Sequence, residues 1–164
     1  MDAPKYYSTI KDSYEALYRR EQEGKIAYLI SIIKPRRGQK ILDVGAGTGI
    51  LEEKLPKLKI VALEPSDLSD ILVDKKLKNV RLVRERIADF DYDAKFDVIF
   101  CITVLQDMSE EERGSAMEKM LKLCKSGGKV IVSVLNTSKI DLSKWDPKSS
   151  GHVENDTFYI FEKK

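Results

Sequence analysis

The chain has 164 residues, enough for one domain with a real hydrophobic core and too few for two. Hydrophobic residues make up 42% and charged residues 34%, the balance of a globular domain; with no 18-residue apolar run and no leader-type segment, a cytoplasmic protein with no membrane partner is expected. The net charge of +2 gives composition no case for strong nucleic-acid affinity, though it leaves room for a local basic patch, and the two cysteines, Cys101 and Cys124, lack metal-ligand spacing and read as buried free thiols.

Residues 4–33 come first. Tyr7, Ile10, Tyr14, Leu17 and Tyr18 recur at helical spacing and predict a helix with an aromatic face. A second helix is predicted from Glu21 to Ile33, with Ile26, Leu29, Ile30 and Ile33 inward. Pro35 closes it, and Lys34 to Gly38 form the turn into the next element. Ile41 to Val44 then read as a buried strand running into Gly45, Gly47 and Gly49, followed by an amphipathic run from Ile50 to Leu58. Strand, glycine turn and helix open a nucleotide-binding α/β unit. A Cβ at Gly45 or Gly47 would block the turn or hold a ligand off the backbone. The dinucleotide pattern G-x-G-x-x-G wants glycine at position 50, where this chain has Ile50. Asp43 stands two residues before the first glycine. A carboxylate there does nothing for a phosphate, but it suits a ligand carrying an ammonium and a sulfonium.

Lys59 to Leu63 form a second strand that ends in Glu64. An acid at that distance from the glycines can accept both ribose hydroxyls; the alternative role is an acid at a helix N-terminus. A helix over 67–78 and a strand over Val80 to Val83 follow. Lys95 to Cys101 is the fourth strand, nearly continuous in apolar residues as a central parallel strand should be. Ser109 caps a helix that carries Glu110, Glu111 and Glu112 in its first turn and runs to Cys124, stopping at Lys125 to Gly128. Lys129 to Leu135 are the fifth strand, 136–156 a polar loop with one turn near Trp145, and Thr157 to Phe161 the last strand.

Three stretches resemble one family. DVGAGTG resembles motif I, (L/V)DxGxGxG, of the class I S-adenosylmethionine (SAM) methyltransferases. YYSTIKDSYEALY is similar to the YYDxIAxxYDxLY lead of its small-molecule branch, and FDVIFCITVLQDM to FDxIxxxxVLxxM of the ubiquinone- and menaquinone-biosynthesis type. The resemblance covers about residues 5–135. It implies a three-layer α/β/α Rossmann-like sandwich, with a mostly parallel sheet of order 3-2-1-4-5 plus one antiparallel C-terminal strand. One domain then spans 1–164: N-terminal helices in 1–37, the SAM-binding core in 38–135, and a loop and last strand in 136–164. The resemblance further implies SAM as cofactor and S-adenosylhomocysteine as product. Asp43, Gly45, Ala46, Gly47 and Glu64 would hold it, with Pro65 and Ser66 along the adenine edge and Cys101 near the methionine part. Tyr14 matches the lead tyrosine that contacts the cofactor, with plain packing on the core as its alternative. The family's G-D-A after the third strand is not matched, because Arg86 stands where the aspartate is expected. Asp89 or Glu85 is left to meet the adenine amino group, and Ile87 to pack on the ring.

The expected reaction is in-line displacement at a methyl carbon on sulfonium, for which alignment and desolvation supply much of the rate. A base is needed only if the acceptor must lose a proton early. His152, Asp107 and Gln106 are candidates, each with an ordinary loop or capping role as its alternative, and no catalytic residue is assigned. Trp145 would stack on a planar acceptor or anchor its loop. The chain lacks the N/D-P-P-Y/F of planar-nitrogen methylation, a Pro-Cys pair, an RNA-binding module and an inserted cap. Its acceptor is therefore left as a small molecule, or as tRNA or protein entering an open mouth. Two rival readings stay open: a SAM-binding partner or activator subunit without catalysis, and an NAD- or nucleotide-binding protein, which Ile50 and Asp43 disfavour.

Overall fold

A computed structural model describes residues 11–164, with side chains from Arg19 onward. Tyr14 and the aromatic face of the lead segment lie outside the described side chains. The first element is one helix, α1 (Lys11–Ile33), where the sequence reading expected two. Nothing between Tyr18 and Glu23 breaks a helix, and the Arg19–Glu23 pair at 2.8 Å bridges the expected gap across one turn. The remaining elements are β1 (Lys40–Val44), α2 (Ile50–Lys54), β2 (Lys59–Leu63), α3 (Leu68–Asp74), β3 (Val80–Val83), β4 (Phe96–Ile102), α4 (Glu110–Leu123), β5 (Cys124–Leu135), β6 (Ser149–Val153) and β7 (Asp156–Glu162). Helix α2 has only five residues, shorter than its amphipathic pattern promised.

One seven-stranded sheet has the order β3-β2-β1-β4-β5-β7-β6. The first five strands are parallel, and β7 runs antiparallel to β5 from Lys129↔Glu162 to Leu135↔Asp156. The sheet agrees with the expected 3-2-1-4-5 order and antiparallel return, and adds one strand. Strand β6 pairs with β7 inside what reads as a polar loop. It is an edge strand, Ser-Ser-Gly-His-Val, that buries only Val153, so it carries no apolar alternation to read. Strand β5 starts five residues earlier than expected. Gly127, at φ 79°, belongs to an irregular stretch that the backbone of Lys163 pairs on its outer side, where a helix stop was expected.

Helices cover both faces, as buried parallel strands require. Alternate residues of each strand point oppositely. Leu42, Val44, Ile99 and Cys101 pack with Met117 and Met120 of α4, whereas Ile41, Val98 and Phe100 pack with Ile26 and Leu29 of α1 and Leu51 of α2. The cap of α4 is a complete capping box, with Ser109 and Glu112 bonding each other's backbone N–H. No helix among the described residues is long and apolar enough to cross a membrane.

Candidate cofactor crevice

Strand order reverses between β1 and β4, and a crevice opens at the carboxyl ends of the strands beside that point, with about 820 Å³ of space including its open mouth. Its floor is the glycine turn. The backbone N–H groups of Gly45 and Ala46 both donate to the Leu63 carbonyl at 2.8 Å, which ties the turn to β2. Gly45 adopts φ 75°, and a Cβ built on it would lie 2.5 Å from Val104. A side chain there therefore meets both the left-handed backbone and the wall of the crevice.

Glu64 is 5% exposed at the end of β2. Its Oε1 accepts the Gly47 N–H and its Oε2 the Ser66 N–H, each at 2.9 Å. Burial pushes its carboxyl above the usual range, while those two N–H groups oppose the rise. Each oxygen keeps a further lone pair, so the carboxylate has capacity to accept further donors.

Asp43, 4% exposed, lines a small recess beside the turn together with Ala46, Thr48, and Gln22 and Ile26 of α1. Burial pushes it up to about 6; the Glu64 charge adds to the rise and a hydrogen bond with Glu52 opposes it. Glu52, fully buried on α2, is pushed well above its ordinary value by burial and then by the Asp43 charge. Three carboxyls therefore converge on one glycine turn, and Thr48 Oγ1, buried beside them, has no hydrogen-bond partner among the described residues. A cationic ligand at the turn would relieve their mutual repulsion.

The crevice brings together Gly45, Gly47, Glu64, Pro65 and Ile87 of the sequence-based set, and the adjoining recess takes Asp43 and Ala46. Ser66 is buried just ahead of α3, its hydroxyl accepting the Leu68 N–H at 3.2 Å. Cys101 is fully buried below, facing the α4 layer. Asp89 is exposed and off the lining, because the turn after β3 points Glu85, Arg86 and Ile87 inward. Asp107 lines the mouth, but His152, Gln106 and Trp145 do not. His152 is exposed on the β6 edge strand, its Nδ1 3.3 Å from the Thr157 hydroxyl. Gln106 and Trp145 line a separate groove under the loop after β5.

Sequence reasoning missed a buried network behind the mouth. Thr103, just past β4, holds φ 58°, a rare conformation for a β-branched residue. Its hydroxyl donates to Asp156 Oδ2 at 2.7 Å and accepts from Lys25 Nζ at 2.9 Å. Lys25 Nζ also lies 3.0 Å from Asp156 Oδ1, and the Ser133 hydroxyl donates to Oδ2 at 2.7 Å. Lys25, Ser133 and Asp156 are fully buried. The network ties α1, β4, β5 and β7 together at a residue that lines the crevice. One signal was available: Lys25 falls on the stripe of α1 that carries Gln22, Ile26, Leu29 and Ile33.

A doubly wound sheet, a glycine turn after β1 and an acid at the end of β2 define a class I, Rossmann-like nucleoside-binding fold. Residues 41–128 match the methyltransferase domain family, and that match spans more than half of the chain. The chain belongs to this family of SAM-dependent methyltransferases. It is 27% identical over 121 residues to a ubiquinone biosynthesis O-methyltransferase of Alkalilimnicola ehrlichii, covering 68% of this chain and 48% of that protein. It is 30% identical over 108 residues to the enzyme of the same description from Coxiella burnetii, covering 61% and 45%. The chain thus spans about half the length of these curated relatives. Among solved structures it resembles magnesium protoporphyrin IX methyltransferase from Synechocystis PCC 6803 with bound SAM. There the TM-score is 0.78 at 13% identity, over 97% of this chain and 95% of that one, which shows a shared fold.

Proposed function

We propose that the chain transfers a methyl group from SAM to an acceptor bound at the mouth of the crevice. The observation that carries this reading is the Glu64 carboxylate, fixed by the N–H groups of Gly47 and Ser66 and aimed to accept a vicinal diol. The donor set fits the cofactor: acids at the turn for an ammonium and a sulfonium, a diol acceptor at β2, and Ile87 with Pro65 and Leu68 as an apolar slot for a purine. When bound, SAM supplies an electrophilic methyl carbon with a neutral thioether as leaving group. The chain's own contribution is orientation and exclusion of water. The Gly45–Gly47 backbone and Asp43 hold the amino-acid end, Glu64 the sugar, and Ile102, Val104 and Met108 surround the reacting side with apolar surface.

Asp107 and Glu112 are the carboxylates on the acceptor side. Glu112 already accepts the Ser109 N–H at 2.7 Å, and Asp107 also has interactions of its own. The proposed mechanism therefore assigns no dedicated base and relies on alignment. The acceptor is proposed to be a small hydroxylated molecule, supported by the O-methyltransferase relatives and by the narrow apolar wall at the mouth. A cytoplasmic setting belongs to the same proposal, supported by two cysteines that are both free.

Thermal shift with SAM, S-adenosylhomocysteine, NAD and ATP tests the cofactor, since a ligand of the native state raises Tm. SAM and its product should raise it, and a shift with NAD alone overturns the reading. Transfer of tritiated methyl from SAM is then measured into metabolite, RNA and protein fractions. Label in the metabolite fraction is expected. SAM binding without transfer into any fraction would favour a non-catalytic partner subunit, and label in RNA or protein alone would move the acceptor.

A further inference from the structure

The opposite end of the sheet has a different chemistry. The loops that lead into β1, β2 and β3 are Lys34-Pro35-Arg36-Arg37-Gly38-Gln39-Lys40, Lys54-Leu55-Pro56-Lys57-Leu58-Lys59 and Lys75-Lys76-Leu77-Lys78-Asn79-Val80-Arg81. Together they carry eleven basic residues and no acidic one. The strand order 3-2-1 sets these three loops side by side. Between them runs a groove of about 1540 Å³, its open mouth included, whose lining includes Lys40, Lys57, Lys59, Lys76, Lys78 and Arg81 and no carboxylate. All six of those side chains are exposed. Lys75 is drawn off to Glu53 at 3.0 Å, but Lys57, Lys59, Lys76 and Lys78 make no ion pair with any described carboxylate. The acids nearest in sequence to these loops are Asp43, Glu53, Asp74 and Glu85, and Asp91, Asp93 and Asp97 flank the groove's aromatic residues; none of them lines the groove, and Asp97, which accepts the Lys40 N–H at 2.7 Å, is paired with Lys125 at 3.1 Å.

On a chain whose total charge is only +2, such segregation sets up a concentrated positive field at one end. We propose that this groove is a docking site for the phosphate backbone of a nucleic acid, separate from the cofactor crevice. The groove is concave with cations on its walls, a shape that follows a strand of phosphates; a flat lipid surface would meet a convex basic face. Of its two aromatic residues, Phe96 is buried in the core, and Tyr92 stacks on Phe96 at 5.0 Å and on Phe90 at 5.5 Å with Arg81 5.9 Å from its ring centroid, so neither offers a free ring to a base. Binding is therefore to phosphates and not to stacked bases, and carries little sequence preference. The groove and the crevice are separated by the length of the strands, about 15–20 Å at roughly 3.3 Å per residue. A nucleic acid held here is tethered to the protein, and its nucleotides in the groove are out of reach of a methyl donor in the crevice.

The test uses the full chain and a fluorescent 20-nucleotide single-stranded RNA of mixed sequence. Binding is followed by anisotropy from about 50 to 200 mM KCl, where single-strand contacts give a slope of about −0.7 per phosphate neutralised. Binding at 50 mM salt is expected, with a log–log slope steeper than about −2. The charge-reversed triple variant Lys57→Glu, Lys59→Glu, Lys78→Glu should lose at least tenfold in affinity and flatten that slope. The charge-keeping variant Lys57→Arg, Lys59→Arg, Lys78→Arg should bind like the parent. All three proteins should respond equally to SAM in thermal shift, which certifies folding and keeps this result independent of the methyl-transfer reading. No binding to RNA at 50 mM salt overturns the proposal, as does undiminished binding by the folded glutamate variant. Binding to vesicles of one-third phosphatidylserine in the absence of RNA binding overturns it in favour of a membrane surface.

Discussion

The two ends of one sheet have opposite electrostatics and bury their charges to opposite degrees. At the carboxyl end, Asp43, Glu52 and Glu64 are buried close together, Glu64 held by the N–H groups of Gly47 and Ser66, and a lysine is buried only because Asp156 and Thr103 meet it. At the amino end, six cations stand in water around an open groove. The contrast teaches where electrostatics is strong. Buried charges couple to fold and ligand through a low dielectric, whereas exposed ones act through long-range, salt-screened attraction.

Removing a buried charge is the most forceful way to break that comparison. Lys25→Met leaves Asp156 as an uncompensated buried carboxylate and should cost about 3–5 kcal/mol in urea unfolding. The double variant Lys25→Met, Asp156→Leu should recover most of it, and a double variant no more stable than the single would refute the pairing. Glu64→Ala comes next. It should weaken SAM binding by about 1–3 kcal/mol in titration calorimetry, and unchanged affinity removes Glu64 from the site. Gly45→Ala should cost about 1–2 kcal/mol from its positive φ alone, more with the Val104 contact, and lower SAM affinity alongside.

A pH series sharpens the comparison further. Asp43 and Glu52 are held above their ordinary values, so the folded chain binds protons there that the unfolded chain has already released. That contribution to stability is complete below about pH 4 and is lost as pH rises through about 6. Glu53 and Asp97 are held below their ordinary values and lose their contribution at lower pH, outside this window. Between pH 5 and 7.5 the parent should therefore lose stability relative to Glu52→Gln, which is uncharged throughout. Parallel stability curves for the two proteins would count against the shared burial. The smallest effect lies at the other end of the sheet. Lys57→Ala should change stability by no more than about 0.5 kcal/mol, and a loss beyond 1 kcal/mol would show a contact the exposed groove does not contain.

Legibility followed the same division. The glycine turn, the acid after β2 and the parallel strand order were readable because each is a local pattern: alternate glycines, an acid at a fixed distance, apolar runs of strand length. Gly45, Gly47 and Glu64 line the crevice. Asp89 was misplaced because Arg84 to Phe90 carry acids, bases and apolar residues without a period, so only the turn's geometry chooses which side chain faces in. Strand β6 was invisible because an edge strand with one buried residue leaves no alternation behind.

The residue pattern alone decided the fold class, the family and the anchoring turn, because backbone freedom at glycine and side-chain period are properties of short segments. Tertiary structure alone decided the rest. Lys25, Thr103, Ser133 and Asp156 meet across four elements up to 131 residues apart, and three basic loops become one groove only when the sheet sets β3, β2 and β1 in order. Charge effects depend on distance and dielectric, and neither exists until the chain has folded.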